Sequence, residues 1–429
     1  MFLRRLKWFV IIILLVLCTG VFIVIFNQLK LSSGYKKTLL VELPTGWLIE
    51  DGKEVYILED HTPASGWMEL DGKTYFFNED GTYVKGKNEI DGKTCYFDEE
   101  GNLMSGWAEY ENTRLYLGKD GSPDPGWLEY KGERYYIKEN GEPSVGLTKM
   151  GDTYYLFDNE GALRDENYLM ERVNSISSEY GPDSDISPDT LNKIGSFDLT
   201  GPQSGRLNKI IEDTSRNGAY NISFVLMDLN SGNGISYNVD KEYYSASCIK
   251  APYITSLIVG RPEVLDYMSN TLKIIIVESD NEKYSNLRQS HGRNEFITWC
   301  KECGVNTDVC IYNYPRITAE ELAKFWVHAY FYYNTDETGA LIGTWLENPN
   351  ASAIHSVLGP DSPHGSKIIK TQSKAGWICE DGYRSTTDAG IIYPKNSSPY
   401  LISICTDIPS DMASLEPLAE YLGELAESQ

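Results

Sequence analysis

The sequence predicts an α+β protein: a three-layer α/β sandwich around an antiparallel sheet, preceded by an all-β solenoid of hairpin repeats and one transmembrane helix. Three observations lead there. Residues 8–26 carry no charge, glycine–aromatic pairs then recur at a fixed twenty-residue step, and from about residue 200 helix-like and strand-like patterns mix without a repeat. The expected organisation is a membrane anchor and juxtamembrane segment at 1–37, repeats at 44–165, a linker at 166–199 and a globular domain at 200–429.

Arg4, Arg5 and Lys7 precede the uncharged run Trp8 to Phe26, which is long enough to cross a bilayer as a helix. The run continues past Gly20 without a cleavage-type site, so it reads as an uncleaved anchor. Cys18 is a poor lipidation site, because Leu17 stands where a small residue is wanted. Basic residues before the span belong on the cytoplasmic side, which places the rest of this single-pass protein outside the cell membrane, at the wall. Sixty-two acidic against 38 basic side chains give a net charge of -24, which argues against nucleic acid as a partner. Eight cysteines are too scattered for a disulfide framework, and Cys300 and Cys303 form a C-x-x-C pair with no second pair to complete a metal site. Whether those two are bridged stays open, and neither a metal nor a cofactor is expected.

The twenty-residue step runs through Gly46-Trp47, Gly66-Trp67, Gly86-Lys87, Gly106-Trp107, Gly126-Trp127 and Gly146-Leu147. A second column, Tyr56, Phe76, Tyr96, Tyr116 and Tyr136, keeps the same spacing. Asp51-Gly52, Asp71-Gly72 and Asp91-Gly92 supply two-residue turns that need positive φ, so each unit is a short hairpin. A lone hairpin cannot bury a face, but stacked neighbours can. The pattern resembles the choline-binding and glucan-binding wall repeats of Gram-positive surface proteins. That resemblance implies that a Trp of one repeat and aromatics of the next hold a quaternary ammonium by cation–π attraction. The implied wall-ligand residues are Trp47, Trp67, Trp107 and Trp127 with Tyr56, Phe76, Tyr116 and Tyr136, and the partner is a wall polymer: choline, teichoic acid or glucan. Lys87 and Leu147 interrupt the Trp column.

In the globular domain, helices are expected over 207–214, from Ser247 onward, and around 281–290, 318–333 and 411–427. Strands are expected over 222–229, 234–239, 368–372, 390–393 and 401–405. Ser247-Cys248-Ile249-Lys250 sets a hydroxyl and an amine one helical turn apart among apolar residues, where desolvation lowers the pKa of the amine and fits it for taking the hydroxyl proton. Spacing alone is weak, since Ser33 and Lys36 match it too. Ser279-Asp280-Asn281 and then Lys374-Ala375-Gly376 follow in order.

This succession resembles the S-x-x-K, S-D-N and K-T-G signature of class A β-lactamases and penicillin-binding proteins, over roughly residues 200–427. The resemblance implies a β-lactamase/transpeptidase-like sandwich and an acyl-serine intermediate formed on peptidoglycan D-Ala-D-Ala peptides or on β-lactams. Ser247 would be the nucleophile, Lys250 its base, and Ser279 the proton relay, while Asn281 would hold the substrate amide and Lys374 would attract the carboxylate. The backbone N–H groups of Ser247 and Trp377 would face the oxyanion, beside Gly376. Ala375 stands in place of the Thr of K-T-G, and Arg384 is the residue expected to compensate in substrate binding. Residues 304–319 hold no glutamate to activate a deacylating water, Asp308 being the only acid there. The alternatives are a genuine β-lactamase, a wall-binding protein with a decayed hydrolase domain, and a Ser-His-Asp hydrolase using His291, His355 or His364. The last lacks a G-x-S-x-G turn.

Overall fold

The structure is a computed structural model, and it describes residues 44–50, 52–165, 167–178, 191–363 and 365–428. The membrane span expected over 8–26 lies outside the described residues. Among those that are described, no helix is long and apolar enough to cross a membrane. The chain divides into two compact units, the first running to Leu128 with Tyr136–Pro143, the second taking Glu129–Tyr135 and Ser144 onward.

The repeats form antiparallel hairpins: β1 (Gly46–Glu50) with β2 (Lys53–Ile57), β3 (Gly66–Leu70) with β4 (Lys73–Phe77), and β5 (Gly86–Ile90) with β6 (Lys93–Phe97). They continue as β7 (Gly106–Tyr110) with β8 (Thr113–Leu117), β9 (Gly126–Tyr130) with β10 (Glu133–Ile137), and β11 (Gly146–Met150) with β12 (Thr153–Phe157). The turn residues Asp71 and Gly72 take φ of 52° and 75°, the left-handed pair that matches strand twist. In the first unit, successive hairpins join through the Tyr56 N–H to Gly81 O (3.0 Å), Tyr96 N–H to Gly121 O (3.0 Å) and Tyr116 N–H to Gly141 O (2.8 Å). These three second strands thus find acceptors one repeat ahead, and rows such as Tyr75 and Phe77, or Leu115 and Leu117, are buried between neighbours.

The second unit continues with β13 (Leu163–Arg164), helix α1 (Tyr168–Ser178), β14 (Leu191–Ile194), α2 (Gly201–Thr214), β15 (Ile222–Asp228), β16 (Gly234–Tyr237), β17 (Tyr243–Tyr244), α3 (Lys250–Gly260), α4 (Val264–Val277), α5 (Asn281–His291) and α6 (Asn294–Glu302). After these come β18 (Arg316–Ile317), α7 (Ala319–Thr335), α8 (Glu337–Leu346), α9 (Ala353–Leu358), β19 (Ile368–Glu380), β20 (Tyr383–Pro394), β21 (Tyr400–Thr406) and α10 (Glu416–Glu427). Six strands make one antiparallel sheet in the order β14-β16-β15-β21-β20-β19.

Strand alternation explains the layers. Phe224, Leu226, Ile402 and Ile404 face α2, α9 and α10 through Leu207, Ile354 and Leu422. Their neighbours Val225, Met227, Leu401 and Cys405 face the other way, toward Ile254 of α3, Leu272 of α4 and Phe325 of α7. This is the expected three-layer sandwich with an antiparallel sheet.

Two expectations change. The stretch 166–199 is more than a linker: α1 buries Leu169, Met170 and Val173 in the second unit's core, and β14 forms the sheet edge against β16. Its short apolar pattern, Leu-Met then Val, has no meaning until a surface receives it. Strands β19 and β20 also run well beyond 368–372 and 390–393, because the polar residues between are buried with partners. The Thr387 hydroxyl donates to Ser245 O (3.1 Å) and that of Thr386 to Ile408 O (2.8 Å).

Candidate active site and repeat aromatics

Ser247 lies in a short 3-10 turn, Ala246–Ile249, that runs straight into α3, so Lys250 opens the helix and its side chain is fully buried. The turn begins from Ala246 at φ 44° and is held by the Cys248 N–H to Ser245 O (3.1 Å). Strand β19 presses on it at Gly376: a Cβ there would lie 2.4 Å from Ser247 N and 2.5 Å from Cys248 N. Glycine is therefore required for the strand to bring its backbone against the Ser247 amide. The Cys248 thiol donates to Lys374 O (3.0 Å), tying the same two elements together.

Ser279 stands between α4 and α5 at φ 62°, a left-handed conformation that a serine adopts only when its surroundings fix it. The turn points its two oxygens at two different lysines. Lys250 Nζ donates to Ser279 O (2.6 Å) and to Asn281 Oδ1 (2.6 Å), while Lys374 Nζ donates to Ser279 Oγ (2.9 Å) and to Ala375 O (2.9 Å). Asp280 caps α5 by accepting from Lys283 N (2.8 Å), which sets Asn281 at the first helical position. Ser279, Asn281, Lys250 and Lys374 are thus brought together. Ser247 sits one turn from Lys250, and among the described residues no hydrogen bond joins Lys250 to the Ser247 hydroxyl.

Burial, followed by the neighbouring charge of Lys374, holds the Lys250 amine down at about 7. Burial alone lowers Lys374 to about 8, against a partial restoring pull from Cys248 and Asp388. Asp388, buried beneath Ala375 on the paired strand, is pushed up to about 6 by burial although Ile354 N–H and the Ser352 hydroxyl donate to it.

Tyr314 joins this cluster without having been expected there from the sequence. Its hydroxyl donates to Asn281 Oδ1 (2.9 Å), and its ring and that of Tyr284 lie 5.8 and 5.5 Å from the Lys250 nitrogen. No motif marks it; only its adjacency to the helix starting near Thr318 pointed to that loop. Arg384, in contrast, does not join Lys374. Strand register pairs it with Cys379, five residues along β19 and on the opposite face, while Thr387 is the residue beside Gly376. Trp377 follows the same alternation: its side chain is turned away from the Lys374 face and is 41% exposed. Cys303 and Cys300 are both buried and free. Of the histidines, His291 hydrogen-bonds the Ser290 hydroxyl (2.8 Å) and His355 that of Thr371 (2.8 Å), neither engaging Ser247. His364 lies outside the described residues. Among the described residues, no His, Cys, Asp or Glu cluster could hold a metal.

In the repeats, each Trp meets the aromatic opposite it in its own hairpin: Trp47 with Tyr56 (5.1 Å between ring centroids), Trp67 with Phe76 (5.1 Å), Trp107 with Tyr116 (5.3 Å) and Trp127 with Tyr136 (5.4 Å). The next repeat adds Tyr75 and Tyr83, each 5.4 Å from Trp47, and Phe97, 5.9 Å from Trp67. These additions were not expected by number. Trp47, Trp67 and Trp127 are 42–44% exposed, whereas Trp107 is covered by the Arg114 guanidinium, 3.7 Å from its ring centroid. The third unit has Lys87 where the Trp would be, and Tyr96 packs on Tyr110 at 5.2 Å instead.

No curated protein matches the chain in sequence. Among solved structures, choline binding protein F from Streptococcus pneumoniae, determined with a peptidoglycan analogue (tetrasaccharide-pentapeptide), is 26% identical over 28% of this chain and 41% of its own, with a TM-score of 0.27. CbpJ from Streptococcus pneumoniae TIGR4 is 25% identical over 28% of this chain and 42% of its own, with the same TM-score of 0.27. The chain therefore spans about two fifths of the length of these choline-binding proteins. A mutant of PBP-A, solved as an acyl-enzyme complex with penicillin G, aligns over 53% of this chain and 97% of its own at 14% identity and a TM-score of 0.42. In sequence, residues 64–106 match the choline-binding repeat family.

Proposed function

We propose that the chain is a cell-surface serine acyl hydrolase or transferase, held at the membrane by its N-terminus and at the wall by its repeats, that attacks amide or lactam carbonyls such as those of D-Ala-D-Ala peptides. The observation that carries this reading is Ser279 held between two buried lysines of lowered pKa, beside the Ser247 turn.

A neutral lysine amine has two N–H bonds and one lone pair. Ser279 O and Asn281 Oδ1 accept from Lys250, so both N–H bonds are committed and the lone pair is left for the proton of Ser247. Ser247 Oγ would then bond to the carbonyl carbon, and its proton would leave with Lys250. The Ser279 hydroxyl accepts from Lys374, which leaves its own hydrogen free to pass to the departing nitrogen as the C–N bond breaks. The charge growing on the carbonyl oxygen would meet the backbone N–H groups of Ser247 and Trp377, an arrangement worth on the order of 3 kcal/mol per donor. Lys374 would take the substrate carboxylate. With Ala375 in place of the Thr, carboxylate affinity would rest on Lys374 and Ser279.

The loop facing Lys250 offers the phenol of Tyr314 rather than a carboxylate, which favours slow deacylation and an accumulating acyl-enzyme over rapid β-lactam turnover. The repeats would bind a choline-bearing wall polymer at Trp47, Trp67 and Trp127. Mass spectrometry of the protein with penicillin and with a D-Ala-D-Ala peptide, beside Ser247→Ala, tests the chemistry. A stoichiometric adduct on Ser247 is expected. No adduct on wild type, or an unchanged adduct on Ser247→Ala, sinks the reading.

A further inference from the structure

The C-x-x-C pair in the sequence is not the sulfur pair in space. Cys300 of α6 has Cys310 as its neighbour, the two Sγ atoms lying 3.4 Å apart, and both side chains are buried. Cys303 caps the same helix and takes no part in this contact. Cys310 ends a short 3-10 turn, Thr307–Cys310, beyond which the chain becomes a strap leading to β18.

That strap is fastened to the candidate site at successive residues. Arg288 Nη2 donates to Cys310 O (2.9 Å) and Tyr312 O (3.2 Å), the Tyr284 hydroxyl to Asn313 O (3.1 Å), and Tyr314 to Asn281 Oδ1 (2.9 Å). Ser245 N–H, just before the Ser247 turn, donates to Pro315 O (2.9 Å). The position of Cys310 therefore sets where the strap starts and so where Tyr314 stands.

We propose that Cys300 and Cys310 are a disulfide-forming pair that pins the base of this strap to α6. The chemistry is exchange with an external disulfide RS–SR. The Cys310 thiolate attacks one sulfur of RS–SR, forming Cys310–S–SR and releasing one RS⁻. Cys300, losing its proton, attacks the Cys310 sulfur and expels the second RS⁻. Two protons leave the cysteines and two electrons reach the released thiols, so RS–SR is reduced as the pair is oxidised. Contact with the Cys300 thiol, and then the nearby Arg288 and Arg293 guanidiniums, hold the Cys310 thiol below its ordinary range, which suits it to attack first. The turn lies at the surface, with Ile311 and Tyr312 exposed, so a local opening admits the oxidant. The proposal does not depend on the hydrolase reading, since its test involves no substrate.

The wild-type chain is held in glutathione buffers of increasing glutathione disulfide content, alkylated, and mapped without reduction, with melting followed in parallel. The expected result is a peptide pair joining Cys300 to Cys310 with loss of two hydrogens, alkyl label on Cys303, and a melting temperature about 4–8 °C above that of the reduced chain. Full labelling of both cysteines under excess glutathione disulfide overturns the proposal, as does a Cys300–Cys303 link. A Cys300–Cys310 link with no rise in melting temperature overturns the pin.

Discussion

Replacing Gly376 by alanine adds one methyl group at the point where β19 meets the Ser247 turn. Its Cβ would lie 2.4 Å from Ser247 N, 2.5 Å from Cys248 N and 2.8 Å from Ser245 O, all backbone atoms that cannot rotate aside. Carbon contacts are comfortable at about 3.5 Å, so strand and turn must separate by about 1 Å. Overpacking of this kind costs about 1–3 kcal/mol, or about 2–10 °C in melting temperature for a unit of this size. The same displacement moves the Ser247 amide away from the Trp377 amide, and a misplacement of about 1 Å in a reacting geometry is worth about 100-fold in rate. Gly376→Ala should therefore acylate about 100-fold more slowly with a fluorescent penicillin and melt earlier by circular dichroism. A variant that acylates and melts like wild type refutes the argument from the close approach. One that melts earlier but acylates at the wild-type rate refutes the assignment of these amides to the oxyanion.

The acylation rate should rise with pH through about 7, as Lys250 loses its proton and becomes a base, and fall through about 8, as Lys374 loses the charge that attracts a carboxylate. A rate that stays flat from pH 5 to about 10, with neither limb, contradicts both roles. Tyr314→Phe removes one hydrogen bond to Asn281, worth about 1 kcal/mol, and should slow acylation by about 5-fold with little loss of stability; a change larger than about 100-fold would make the phenol a participant rather than a support. Choline titration followed by calorimetry should show Trp47→Ala losing a site, whereas Arg114→Ala should gain one by uncovering Trp107. Equal stoichiometry in wild type and Arg114→Ala would show that Arg114 does not block Trp107.

The repeats were legible because each hairpin is specified by residues close in sequence. A positive-φ turn and a fixed register suffice to place Trp47 opposite Tyr56 or Trp67 opposite Phe76. Their aromatic clusters were only half legible, since Tyr75 and Tyr83 reach Trp47 from the following unit. The order of Ser247, Ser279 and Lys374 announced a site, but not its occupants. Tyr314 carries no motif, Arg384 is displaced by a strand pairing that no local pattern fixes, and α1 looked like connector until the core received Leu169 and Val173.

By itself the sequence determined the hairpin period, the antiparallel three-layer class and the residue types that meet at the serine turn, because turns, alternation and helical spacing act over a few residues. Only the tertiary structure decided that Ser279 lies between lysines 29 and 95 positions away, and that Cys300 faces Cys310 instead of Cys303. The physical reason is that burial and long-range packing depend on which surfaces close over one another. That closure lowers the pKa of Lys250 and Lys374 and forces glycine at position 376.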